Sequence, residues 1–145
     1  MSKKLSIIIP AYNEEKTIAD VIAKVSEQSY PNWDKEIIVV DDGSTDGTKE
    51  NIENCKLKIE NLRLISHSRN VGKGTAIKTG LESMTGNAVI VQDADLEYDP
   101  ADIQLLLREL DRGADVIYGS RNLKPERRGY SHYVLGSKIL DFLIN

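Results

Sequence analysis

The chain has 145 residues, of which 40% are hydrophobic and 29% charged, and its formal net charge is −4. That length carries one domain with a real core, and the acidic balance excludes a general nucleic-acid binder, which would be strongly basic. Cys55 is the single cysteine and has no internal disulfide partner, which points to a reducing compartment. The apolar run after Met-Ser-Lys-Lys is too short for a signal peptide or a membrane span, and no other segment is long enough to cross a bilayer. The expected location is cytoplasmic.

Five short runs rich in Ile and Val are expected as strands, with amphipathic helices between them. The first strand, Leu5 to Ile9, leads into Pro10-Ala11-Tyr12-Asn13-Glu14. A helix follows with Ile18, Val21, Ile22 and Val25 at helical spacing, and Asn13 before Glu14-Glu15 reads as its start. The second strand, Glu36 to Val40, leads into Asp41-Asp42-Gly43-Ser44-Thr45-Asp46. Ser44-Thr45 is expected to open a helix on which Cys55 shares a core face with Ile52 and Ile59. The third strand, Leu62 to Ser66, precedes Arg69-Asn70-Val71-Gly72-Lys73-Gly74 and a helix with an Ile77, Leu81 and Met84 face. The fourth, Ala88 to Val91, runs into Gln92-Asp93-Ala94-Asp95-Leu96-Glu97-Tyr98. Asp99-Pro100 then opens a helix carrying Ile103, Leu106, Leu107 and Leu110.

The fifth expected strand, Asp115 to Tyr118, precedes Gly119-Ser120-Arg121. After a basic stretch, Leu135, Ile139, Phe142 and Leu143 recur at helical spacing up to Asn145 with no stop signal. Such a face implies a chain that continues, a partner or second copy that covers it, or a helix at a membrane surface. Continuous apolar strands alternating with helices imply an α/β fold with right-handed crossovers. The sheet is expected to be Rossmann-like, doubly wound, mostly parallel and flanked by helices.

Asp93-Ala94-Asp95 carries the most chemistry. Side chains two apart on extended backbone point the same way, and the carboxyl end of a strand is where open α/β sheets bind ligands. Paired hard oxygens there suit Mg²⁺ or Mn²⁺, shared with substrate phosphates. Taken alone, an acidic pair in a loop is equally a solvated turn or a helix cap. It is not alone, because polar or glycine-containing clusters follow all five expected strands and would converge on one sheet edge. The glycines around Lys73 do not form a Walker loop, and by themselves mark a turn before a helix. His67 and His132 read as structural.

With these motifs in order from Leu5 to about Arg121, the sequence resembles the nucleotide-binding part of family 2 glycosyltransferases with the GT-A fold. It is most like the branch of dolichol- and polyprenyl-phosphate mannosyl- and glucosyltransferases. The resemblance implies one nucleotide-sugar-binding domain over residues 1–145, incomplete at its C-terminus. It also implies inverting, metal-dependent transfer from a UDP- or GDP-sugar, with Mg²⁺ or Mn²⁺, to a polyprenyl (dolichyl or undecaprenyl) phosphate.

In that resemblance Pro10 and Tyr12 wall the nucleobase, with core packing as the alternative for Tyr12, and Glu14 accepts from ribose hydroxyls. Asp42 accepts from a base N–H, whereas Asp41 either joins it or caps the next helix. Gly72-Lys73-Gly74 bring backbone to the ribose and diphosphate, with Lys73 as a phosphate contact. Asp95 is the direct metal ligand, Asp93 contacts metal or ribose, and Glu97, where the family often has Gln, either adds a third ligand or points away.

Arg121, counted with Asp93 and Asp95 as catalytic, serves the donor diphosphate or the acceptor phosphate. Together with Lys124, Arg127 and Arg128 it forms a basic island that fits a lipid phosphate or is plain solvated surface. A phosphate acceptor is already anionic near neutral pH, so it needs no general base; the sequence offers no candidate for one, which reflects either such an acceptor or a missing C-terminal part. Such an acceptor places the chain at the inner face of a membrane. Two rival readings are a nucleotide-sugar-binding fragment or subunit without turnover and a sugar nucleotidyltransferase. Against the second, Pro10 to Glu14 stand where a glycine-rich basic loop would be.

Overall fold

The structure, a computed structural model, describes residues 3–118. Strands β1 (Lys3–Ala11), β2 (Trp33–Asp41), β3 (Leu62–Ser66) and β4 (Ala88–Val91) alternate with helices α1 (Ile18–Glu27), α2 (Thr48–Lys56), α3 (Lys73–Ser83) and α4 (Ile103–Asp111). All strand pairs are parallel, in the order β3-β2-β1-β4. The chain therefore builds outward from β1 to β3 and then returns to lay β4 on the other side of β1. That reversal is a topological switch point, which leaves a crevice at the carboxyl ends of the two strands. The chain divides into two compact units, Met1–Arg108 and Glu109–Asn145, and the sheet lies in the first.

The sheet is apolar on both faces because helices cover both. Ile8, Ile38 and Val40 form one buried cluster with Ala76 of α3, and Ile65 and Met84 pack against it. Ile7, Ile9, Ile37 and Val39 alternate to the opposite face and are fully buried. Right-handed crossovers put α1 and α2 on that side. In α1, Ile18, Val21, Ile22 and Val25 are all buried, as their spacing predicts.

The expected face of α3 needs correction. Its buried positions are Ala76 and Gly80, while Leu81 is 42% exposed and Ile77 and Met84 are half-buried. The helix lies close on β1 and β2, and a Cβ at Gly80 would come within 2.6 Å of Ile8 Cγ2. Small side chains lie closest to the sheet there, and of the expected large residues Met84 packs against the buried cluster.

Two helix starts also differ from expectation. Asn13 adopts a left-handed φ of 54°, and α1 begins only at Ile18 with Thr17 as its N-cap. Ser44-Thr45 stays in a loop because the Asp41 carboxylate takes the Ser44 amide at 3.1 Å. α2 starts instead at Thr48, whose amide and hydroxyl donate to Asp46 Oδ1 at 2.9 and 2.5 Å. On this helix Ile52 is fully buried, whereas Cys55 and Ile59 are half-buried. Burial pushes the Cys55 thiol up, opposed by the charge of Lys58.

Asp115 to Tyr118 do not form the fifth strand. Val116 is 69% and Tyr118 83% exposed, and β4 is an edge of the described sheet. Strand preference is expressed on a paired, half-buried surface, which this segment lacks among the described residues. No helix among the described residues is long and apolar enough to cross a membrane.

Toward the amino ends of the strands lies a buried carboxylate. Glu36 is 4% exposed and accepts from Ser6 Oγ at 2.5 Å, the Thr85 amide at 2.6 Å and Thr85 Oγ1 at 3.0 Å. Lys4 Nζ and Arg63 Nη1 stand 3.4 and 3.7 Å away. Burial pushes the Glu36 carboxyl up, but the Ser6 and Thr85 hydrogen bonds and the Lys4 charge outweigh it and bring it to about 2. This contact ties the α3–β4 connection to the base of the sheet.

Candidate active site

The carboxyl ends of the strands enclose an open cleft of about 220 Å³. Pro10, Tyr12, Glu14, Asp42, Lys73, Asp93 and Asp95 all line it. The structure thus brings together most of the expected site residues from four separate segments of chain. Gly74 and Glu97 do not line the cleft. Arg121, Lys124, Arg127, Arg128 and His132 lie outside the described residues.

The loop after β1 is held by the loop after β2. The Asn13 amide donates to Ser44 Oγ at 3.0 Å, and the Thr45 amide donates back to Asn13 Oδ1 at 2.9 Å. Farther along, the Glu14 amide donates to Thr48 Oγ1 at 2.7 Å and the Gly47 amide to Glu15 Oε2 at 2.9 Å. These bonds fix the backbone that carries Tyr12 and Glu14. Tyr12 is 43% exposed, so its ring is a cleft wall and not core packing. Glu14 Oε2 accepts from Thr17 Oγ1 at 3.0 Å, which orients the carboxylate at the start of α1.

Asp42 organises the loop before α3. It is 2% exposed, and its oxygens accept the Val71 amide at 3.1 Å and the Gly72 amide at 2.8 Å. His67 Nδ1 lies 2.7 Å from Asp42 Oδ1, and His67 Nε2 lies 2.9 Å from Thr79 Oγ1. Burial pushes the Asp42 carboxyl up, yet the hydrogen bonds from His67, Val71 and Gly72 prevail and hold it below the usual carboxylate range. The imidazole bridges two elements, the structural part expected of His67. Asp41 turns its own loop through the Ser44 amide, so it neither joins Asp42 nor caps α2.

Gly43 makes this arrangement possible. Its φ is +71°, and a Cβ there would lie 2.3 Å from the Arg69 carbonyl carbon. Only glycine allows the loop after β3 to press so closely on the loop after β2. Gly72, expected with Lys73 and Gly74 to bring backbone to the ligand, lines the cleft, as does Asn70; sequence reasoning did not single out Gly43 or Asn70. The available signal was an Asp-Gly turn directly after a strand.

The acidic pair follows β4. The Gln92 amide extends the pairing by donating to Ile8 O at 2.9 Å, and its side chain donates to Tyr98 O at 3.2 Å, closing the loop. Leu96 turns that loop with a left-handed φ of 63°, and the Glu97 amide donates to Asp95 Oδ1 at 3.0 Å. Asp93 Oδ1 is 2.6 Å from Lys73 Nζ. No cluster of three or more His, Cys, Asp or Glu is placed to hold a metal among the described residues, so Glu97 does not complete a third-ligand set. Two carboxylates lining the open cleft, Asp93 and Asp95, still fit Mg²⁺ or Mn²⁺, which bind through one or two carboxylates plus substrate phosphates and not through all-protein cages.

Solved relatives share this architecture. A mannosyltransferase from Pyrobaculum calidifontis, solved in complex with GDP-Man and Mn²⁺, superposes with a TM-score of 0.62 and 31% identity over 70% of this chain and 30% of its own. The structural neighbours are GT-A glycosyltransferases. Among curated sequences, an uncharacterized glycosyltransferase, sll0501, of Synechocystis is 38% identical over 122 residues, which is 83% of this chain and 38% of its own length. The dodecaprenyl-phosphate galacturonate synthase of Rhizobium johnstonii is 34% identical over 133 residues, 86% of this chain and 38% of its own. The chain therefore spans less than half the length of the curated relatives it matches. The family model described as glycosyl transferase family 2 matches residues 6–143, and the chain belongs to that family.

Proposed function

We propose that this chain is the donor-binding part of an inverting transferase that moves a sugar from a UDP- or GDP-sugar to a polyprenyl phosphate, with Mg²⁺ or Mn²⁺. The observation that carries this reading is the meeting of Tyr12, Glu14, Asp42, Lys73, Asp93 and Asp95 in one cleft at the switch point. Pro10 and Tyr12 wall the base, and Glu14 accepts from the ribose. Asp42 is assigned to accept from a base N–H, beside the bonds its oxygens already take from His67, Val71 and Gly72. Lys73 and the backbone at Gly72 meet the diphosphate. Asp93 and Asp95 hold the cation, which when bound neutralises charge on the departing diphosphate.

A unit charge about 4 Å away contributes about 4 kcal/mol at an effective dielectric near 20. Only the part that grows toward the transition state speeds the step. The acceptor oxygen attacks C1 from the face opposite the diphosphate, so a single displacement inverts the anomeric centre. A lipid phosphate reaches that point already ionised. This acceptor class is supported by the Rhizobium relative, a dodecaprenyl-phosphate galacturonate synthase, and the cation by the Mn²⁺ in the mannosyltransferase complex. Arg121 is assigned to the phosphates, with Lys124, Arg127 and Arg128 toward the lipid headgroup. The working location is then cytoplasmic, peripheral to the membrane's inner face.

The test is calorimetric binding of UDP and GDP with and without Mn²⁺, beside a transfer assay with a short polyprenyl phosphate. Asp95→Ala is expected to remove the Mn²⁺-dependent part of binding while leaving the fold intact. Binding unchanged by that substitution takes Asp95 out of the site. A second reading is nucleotide-sugar binding with no turnover of its own; binding without transfer would select it. Arg121→Ala is expected to harm transfer more than nucleotide affinity, and equal loss of both moves Arg121 to the donor.

A further inference from the structure

Lys73 and Asp93 are both assigned to ligand, yet they face each other at 2.6 Å. The lysine is the first residue of α3, and its base is fixed because the preceding Gly72 amide is held on Asp42 at 2.8 Å. Its tip is not fixed, since the Lys73 side chain is 60% exposed against 27% for Asp93. A partly exposed pair of this kind is weak, which suits a contact that has to be given up. A divalent cation on the same carboxylate would sit about 2.1 Å from oxygen. The ammonium and the metal would then lie within several ångströms of each other and repel.

We infer that Lys73 is a stand-in cation for Asp93, released onto the donor diphosphate as the metal arrives. This rests on the reading of Asp93 and Asp95 as the metal-binding pair. A diphosphate supplies both missing parts: acceptors for the three ammonium donors and oxygens to complete the metal's shell. Metal and nucleotide therefore load as a coupled pair, each raising affinity for the other by the same factor. Without nucleotide, the lysine keeps the acidic pair from holding a stray cation.

The experiment is Mn²⁺ titration of the full chain, by electron paramagnetic resonance of free Mn²⁺, with no nucleotide and with UDP or GDP. Lys73→Met is expected to bind Mn²⁺ alone about fivefold or more tightly than the parent, a coupling of ordinary size, and to bind either nucleotide less tightly. Lys73→Arg, which keeps the charge, is expected to leave Mn²⁺ binding weak. Unchanged or weaker Mn²⁺ affinity in Lys73→Met overturns the stand-in role, provided that the parent binds Mn²⁺ with a nucleotide. If the parent takes up no Mn²⁺ under any of these conditions, the metal-site reading itself fails and the inference goes with it. Circular dichroism separates these outcomes from unfolding.

Discussion

Asp42 is buried by the loop it organises, and its removal tests that duty directly. Asp42→Ala strands two backbone amides and one imidazole nitrogen, at a cost of about 3 kcal/mol for a charged, buried acceptor. Urea unfolding is expected to show that loss even with no nucleotide present, whereas a residue that only read the base would leave stability untouched. Gly43→Ala is expected to be comparably harmful, by about 2 kcal/mol, since it combines a left-handed φ with a backbone clash. A melting temperature equal to the parent's would refute the close approach. At this scale much of the site was legible: the polar clusters after the strands, and the family resemblance they carry, point to Tyr12, Glu14, Asp42, Lys73, Asp93 and Asp95, and one cleft gathers them. Its partners within the protein were not legible. Nothing in linear order says that Asp42 reaches across 30 residues to the Gly72 amide, because such bonds exist only once two loops have been brought side by side.

Among the elements, the clamp at Glu36 gives the clearest pH signature. Its folded carboxyl sits at about 2 against an ordinary value of 4.5, so the folded state favours the ionised form. The stabilisation is full above pH 4.5 and drains away as pH falls through the folded value. Thermal melts between pH 6 and pH 2.5 are expected to show a flatter acid-side decline in Glu36→Gln than in the parent, and parallel curves would deny the clamp its role. The strands β1 to β4 and the buried face of α1 followed from Ile and Val runs and from a strong 3.6-residue rhythm. The face of α3 did not, because that rhythm assumes that large residues seek the core, and here Ala76 and Gly80 are the closest to it. The starts of α1 and α2 were misplaced for a related reason. Asn13 and Ser44 are good capping residues in isolation, but each is already engaged with the opposite loop.

For the whole molecule, alternation of strand and helix was enough to give a doubly wound sheet, but not the order β3-β2-β1-β4, since the direction of each crossover leaves no mark in local composition. That order is what makes β1 and β4 neighbours and so creates the cleft. Ligand binding there is expected to stabilise the fold as a unit. A nucleotide with Mn²⁺ at about 100 times its dissociation constant adds about 2.7 kcal/mol, which corresponds to a rise of several degrees in melting temperature. The rise is expected with the pair of ligands, largely lost in Asp95→Ala, and its absence in the parent would speak against the proposed site. The reciprocal bonds between Asn13 and the Ser44–Thr45 stretch carry a consequence for engineering and for descent. Neither loop is an independent module: grafting a foreign sequence into one would leave donors and acceptors dangling in the other. Changes in nucleoside preference are therefore expected to require paired edits, and a double-mutant cycle across Asn13 and Thr45 should be far from additive.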